Sequence, residues 1–178
     1  SGTLAYADEL YYQVGNRVTE ENPDTVEDIA NLFVQKLHQI IRNEANNRIL
    51  SDFGLSVKQL TNEGVPLSDS RVGELLNQVN QLRNEIQNGT NILIAGVEEE
   101  HGAQLLELRD GSLVRHDSLG YQCIGSGAGS ANLTFMRNGY SPDSLEDALL
   151  LAADAKNQAG EAQGVGDNMD IAVVDDRV

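Results

Sequence analysis

The stretch GYQCIGSGAGSANLTFM, residues 120–136, decides how this chain is read. The apolar run Tyr121 to Ile124 has the character of a strand. Gly125, Gly127 and Gly129 then fall at every second position, and helical spacing follows. Such a turn can cradle a phosphate, border an oxyanion site, or simply redirect the chain from strand to helix. A dinucleotide fingerprint needs Gly-x-Gly-x-x-Gly inside a parallel βαβ unit. Here the third glycine comes one residue early, the strand before it belongs to a meander, and no Gly-Lys-Ser/Thr occurs. The spacing therefore argues against nucleotide binding and leaves a glycine-rich strand-to-helix turn.

Upstream of the turn, NILIAGV (91–97) reads as a strand buried on both faces, and EEEHGAQ as a polar turn. LLELRDGSLVRHD (105–117) reads as a hairpin with Asp110-Gly111 at its tip. Downstream, the pattern predicts a helix over about 130–138 closed by Gly139 and a second over about 144–159 capped by Ser144. A terminal strand, MDIAVVD (169–175), follows. The longest apolar run, around ALLLAA, reads as a buried helix face.

The N-terminal half is helical in pattern. Leu4, Ala7, Leu10, Tyr11, Val14 and Val18 keep helical spacing, and NPD (22–24) breaks that run. Asp24 or Thr25 caps a helix from about Val26 to Ile49, with Asp28 completing a capping-box arrangement. After an irregular segment punctuated by Gly54, Gly64 and Pro66, a third amphipathic helix carries Val72, Leu75, Leu76, Val79, Leu82 and Ile86. Helices layered on a mostly antiparallel sheet make an α+β protein, and 178 residues are read as a single domain, 1–178.

Composition narrows the function. Lys and Arg total 12 against 28 acidic residues, a net charge of −16, which argues against binding a phosphate backbone and suits a salt-adapted protein. No apolar run is long enough to span a bilayer. A lone Cys123 excludes an internal disulfide, reads as a buried small hydrophobe, and fits a cytoplasmic setting. Glu98, Glu99, Glu100 and His101 read as a solvated charge run rather than a metal site. His38 and His116 have no partner recognisable from spacing, so no Ser-His-Asp set is drawn.

From residue 92 onward, ILIAGVEEE, the hairpin, the Ile-Gly-Ser-Gly turn, the Asn-Gly-Tyr helix end, the capped helix and GDNMDIAVV come in the order found in a proteasome β-type subunit. The chain thus resembles the N-terminal nucleophile (Ntn) hydrolases, and the resemblance covers about the C-terminal two-thirds of such a subunit. It implies an αββα four-layer sandwich with incomplete N-terminal strands and a helical insertion at about 45–90. It implies peptide or amide hydrolysis of the threonine-peptidase kind, no metal or organic cofactor, and self-association into a ring or sheet-edge pairing with another chain. On this mapping Gly2, in SGTLAYADEL, falls where the oxyanion-hole amide lies, and Ser126 where a serine supports the catalytic amine.

Three departures stand out. The strand hairpin that begins with the nucleophilic Thr and carries a Lys is not in this sequence; Ser-Gly at its head implies upstream processing or a short scar. Ala162 and Val165 stand where the family has Asp and Ser, and about forty residues before Asn91 have no counterpart. The readings left open are a hydrolase completed from elsewhere, a non-catalytic assembly subunit, and an unrelated small-molecule module. Ser1 as its own nucleophile is disfavoured, because a helical pattern follows it at once.

Overall fold

The computed structural model describes residues 2–60, 67–141, 144–166 and 168–174. Ser1, Gly64, Pro66 and Asp167 lie outside the described residues. The elements run α1 (Gly2–Glu21), α2 (Val26–Ala45), a π-helical turn at Asn46–Leu50, a 3-10 turn at Ser51–Phe53, and α3 (Val57–Leu60). Then come α4 (Asp69–Asn88), β1 (Ile92–Glu98), β2 (Gly102–Arg109), β3 (Ser112–Arg115), α5 (Ala128–Asn138) and α6 (Leu145–Gly160). Helix and sheet are mixed, as an α+β protein requires. Two compact units emerge: residues 1–91 with 108–113, and residues 92–107 with 114–178.

In the first unit α2 is the central helix, packed against both α1 and α4. Its start is set locally: Thr25 sits in extended backbone and its hydroxyl accepts the Asp28 amide at 3.0 Å while donating to the Asp28 carboxylate at 2.7 Å. Its apolar stripe, including Ala30, Phe33, Leu37, Ile40 and Ile41, is buried. Tyr6 ties α1 to the end of α2, donating to Glu44 at 2.9 Å and accepting from Arg48 at 3.1 Å. The α2 helix ends at Ala45, earlier than its periodicity suggests, because the backbone continues into the π-helical turn. There Asn46 Oδ1 accepts the Val57 amide, and Leu50, Leu60 and Leu75 form a small core of their own. Residues 46–53, 57–60 and 69–88 are thus helical.

The sheet has the order β1-β2-β3; its residues 92–107 and 114–115 belong to the second unit and its hairpin tip, 108–113, to the first. The β2–β3 hairpin turns on Asp110 (φ 52°) and Gly111 (φ 76°), the two positive values that a type I′ turn requires. That two-residue tip sets Leu105 opposite His116, whose amide donates to the Leu105 carbonyl at 2.8 Å. Strand β1 differs from expectation: of its residues only Ile94 is buried, because it is an edge strand of the three. The ALLLAA face differs too. Leu150 is 64% exposed, and the buried positions of α6 are Ala155 and Ala159, farther along the helix.

Two runs read as strands carry no sheet pairing. Residues 121–124 and 168–174 belong to none of the strands, and no backbone hydrogen bond joins either run to another described residue. Their apolar alternation is strand-like, but a strand exists only when a second backbone supplies the ladder.

The hairpin carries a pH dependence. The Leu105 amide donates to Asp117 Oδ1 at 2.5 Å and Arg115 to Oδ2 at 3.0 Å; the backbone bond is the main reason the Asp117 pKa lies below its ordinary value. A carboxylate with a lowered folded pKa adds stability above its unfolded pKa, about 3.9, and that stability is lost as pH falls through the folded value. Urea midpoints at pH 5, 4 and 3 should therefore fall less steeply for Asp117→Asn than for the parent. Equal slopes would show that this bond does not couple folding to protons.

Candidate functional site

The site is built around the glycine turn and the extended run that leads into it. Residues 121–124 place alternate side chains on opposite sides. Tyr121 stacks on Phe135 at a centroid distance of 4.6 Å and meets Tyr140 edge-on at 5.2 Å. Tyr121 and Cys123 pack against the core shared by α5 and α6, made of Ala131, Phe135, Ala155 and Ala159. Gln122 points the other way, donating to Glu107 on β2 at 2.5 Å, while its Oε1 accepts the Cys123 amide at 3.1 Å. The run thus forms a layer between the sheet and the α5–α6 pair.

Each glycine of the turn has its own reason. Gly125 has φ +88°, a conformation that side chains rarely adopt. Gly127 is buried and precedes α5; a Cβ there would lie 2.7 Å from Ala159 Cβ and 3.0 Å from the Ala159 carbonyl oxygen. Gly129 has open space around it. The glycine spacing is accounted for by backbone direction and close helix packing.

A cavity of about 570 Å³ opens beside the turn. Leu93 of β1, residues 122–128, Ala152, Ala155, Lys156 and Ala159 of α6, and residues 164–166 line it. Ser126 is exposed at the turn and lines this cavity. Gly2 is the first residue of α1, in the other unit, where the opening amides of a helix have no intrahelical acceptor. Ala162 and Val165 follow α6, and Val165 packs on the α5–α6 core. Cys123 is half-buried, and that burial raises its thiol pKa, so the neutral thiol is favoured. Among the described residues no three His, Cys, Asp or Glu side chains are grouped to hold a metal ion.

No protein-family model and no curated protein sequence matches the chain.

One polar cluster escaped the sequence reading. Glu107, only 2% exposed, meets His116 Nε2 at 2.9 Å, alongside Gln122. The signal was available. A two-residue tip places Val114 opposite Glu107, and His116, two residues farther, lies diagonally on the same face. The bland expectation for His116 considered its sequence neighbours and missed the cross-strand one. His101, by contrast, bonds Glu98 at 3.0 Å and remains mostly exposed, as a solvated turn should.

Two outcomes test this geometry. Gly127→Ala should destabilise the protein by about 1–3 kcal/mol through overpacking, and Ala159→Gly should recover part of the loss in the double variant. For the buried pair, His116→Ala should cost about 1–3 kcal/mol, and Glu107→Ala/His116→Ala less than the sum of the singles. Additive losses in urea unfolding would mean the two side chains are not coupled.

Proposed function

We propose that this chain is a proteasome-like Ntn-hydrolase domain, and that it hydrolyses peptide amide bonds when an N-terminal nucleophile is supplied. The observation that carries the reading is the extended run 121–124, which lies in its own layer between the sheet and α5–α6 and ends in the Ser126 turn. In a four-layer αββα sandwich a second sheet occupies that level, and 121–124 and 168–174 are its natural strands. Ala172 and Val174 support this: they border a second cavity of about 310 Å³ together with β1 and β2 residues.

The chemistry on this reading is acyl transfer. An N-terminal Thr, Ser or Cys at the head of a strand hairpin uses its own α-amine to take the proton from its hydroxyl or thiol. The freed lone pair attacks the carbonyl carbon, and the resemblance assigns the oxyanion to the amide of Gly2. Collapse expels the amine with that proton and leaves an acyl-enzyme, which water hydrolyses. The exposed Ser126 hydroxyl orients the α-amine.

A second reading, a non-catalytic assembly subunit with the same sandwich, is favoured by Val165. An apolar side chain packed on the α5–α6 core stands where the resemblance expects a hydroxyl.

Intact mass and N-terminal sequencing of the natively expressed protein decide between them, together with hydrolysis of fluorogenic peptides. The hydrolase reading expects a Thr, Ser or Cys terminus on a longer chain or a co-purifying peptide. It also expects turnover stopped by a Thr-reactive inhibitor and lowered about 10²-fold in Ser126→Ala. Neither turnover nor inhibitor adduct would leave the assembly reading in place.

A further inference from the structure

The cavity of about 570 Å³ beside the turn has a charge balance unlike that of the chain. Acidic residues outnumber basic ones 28 to 12, yet among the described residues no Asp or Glu lines the cavity. Its one charged lining residue is Lys156. An ammonium group has three donors, and Lys156 gives one of them to the Gly166 carbonyl at 2.5 Å. The positive charge itself is balanced by no acidic neighbour in the lining.

The lining is also divided by polarity. Ala131, Phe135, Ala155 and Ala159 are buried and make its apolar part. Lys156 is half-buried, while Ser126 and Asn168 are exposed and add a hydroxyl and a carboxamide. The Gln122 carboxamide is already engaged, by Glu107 and by the Cys123 amide. Small-molecule sites of roughly 300–1,000 Å³ combine mostly apolar walls with a few polar groups, and this cavity has that character. The chain's charge of −16 opposes an anion at long range. Salt at 0.1 M screens such opposition beyond about 10 Å, so the adjacent ammonium decides.

We propose that this cavity binds a small monocarboxylic acid with an apolar body. The body lies against Ala131, Phe135, Ala155 and Ala159, and the carboxylate pairs with Lys156. The inference rests on the lining and not on hydrolysis, so its failure leaves the turnover assay untouched.

The test uses the whole protein and two probes of one shape, 4-phenylbutyrate and its neutral amide, 4-phenylbutanamide. Calorimetric titration should give saturable one-site binding of the carboxylate, with the amide weaker by about tenfold or more. Lys156→Gln should weaken the carboxylate by a similar factor and leave the amide within about twofold. Location is read from Cys123, the single cysteine and a lining residue. Saturating 4-phenylbutyrate should slow its alkylation by iodoacetamide severalfold, in the parent and not in Lys156→Gln at the same probe concentration. Equal affinity for the two probes would overturn the proposal, as would no binding of the carboxylate up to its solubility. So would unchanged alkylation of Cys123 at saturation, or equal loss of both probes in Lys156→Gln. Should that variant fail to fold, the comparison of the two probes on the parent protein decides alone.

Discussion

A peptide group between two packed layers must find a hydrogen-bond partner or remain in contact with water. Residues 121–124 meet that constraint in an unusual way. They are fixed from both sides by side chains, with aromatic stacking toward α5 and the Gln122–Glu107 bond toward the sheet, while no ladder fixes them along the edge. Part of the backbone demand is met locally, since Gln122 Oε1 accepts the next residue's amide as a neighbouring strand's carbonyl would. The exact position of the turn, the start of α5 and the shape of the cavity all follow from where this run is held.

The other end of the same arrangement is the contact between Gly127 and α6. Because Gly127 has no side chain, α6 approaches the turn closely enough that Ala159 lies against it. Only small residues fit along that line, which explains why Ala155 and Ala159 are the buried positions of α6 while Leu150 is turned outward. Small walls on α6 then leave space beside the turn, where larger ones would close it. Close helix approach and an open groove are thus two consequences of one choice of residue size.

What was legible in the sequence was what local chemistry determines. Thr25 and Ser144 accept the amides of Asp28 and Asp147, so both capped helix starts were readable. The Asp110-Gly111 hairpin was readable because the required backbone angles select those residue types. Pairing was not readable. Tyr121 to Ile124 and the 169–174 run have strand composition, yet a ladder depends on a neighbour that composition cannot supply, and both lie outside the sheet here. The edge position of β1 was hidden for the same reason. At the site, the glycine-rich turn that carries Ser126 was readable as a turn into a helix, whereas the Glu107–His116 pair required register arithmetic across the hairpin.

The glycine turn separates two regimes of backbone order, and this separation has a physical basis. A catalytic role for Ser126 needs a hydroxyl free to move toward an amine, and its exposure at the turn provides that freedom. The run before the turn is, by contrast, rigid. Tyr121, Gln122 and Cys123 supply that rigidity through contacts on both sides. Gly125, at φ +88°, marks the change from one regime to the other, since it ends the extended run before Ser126.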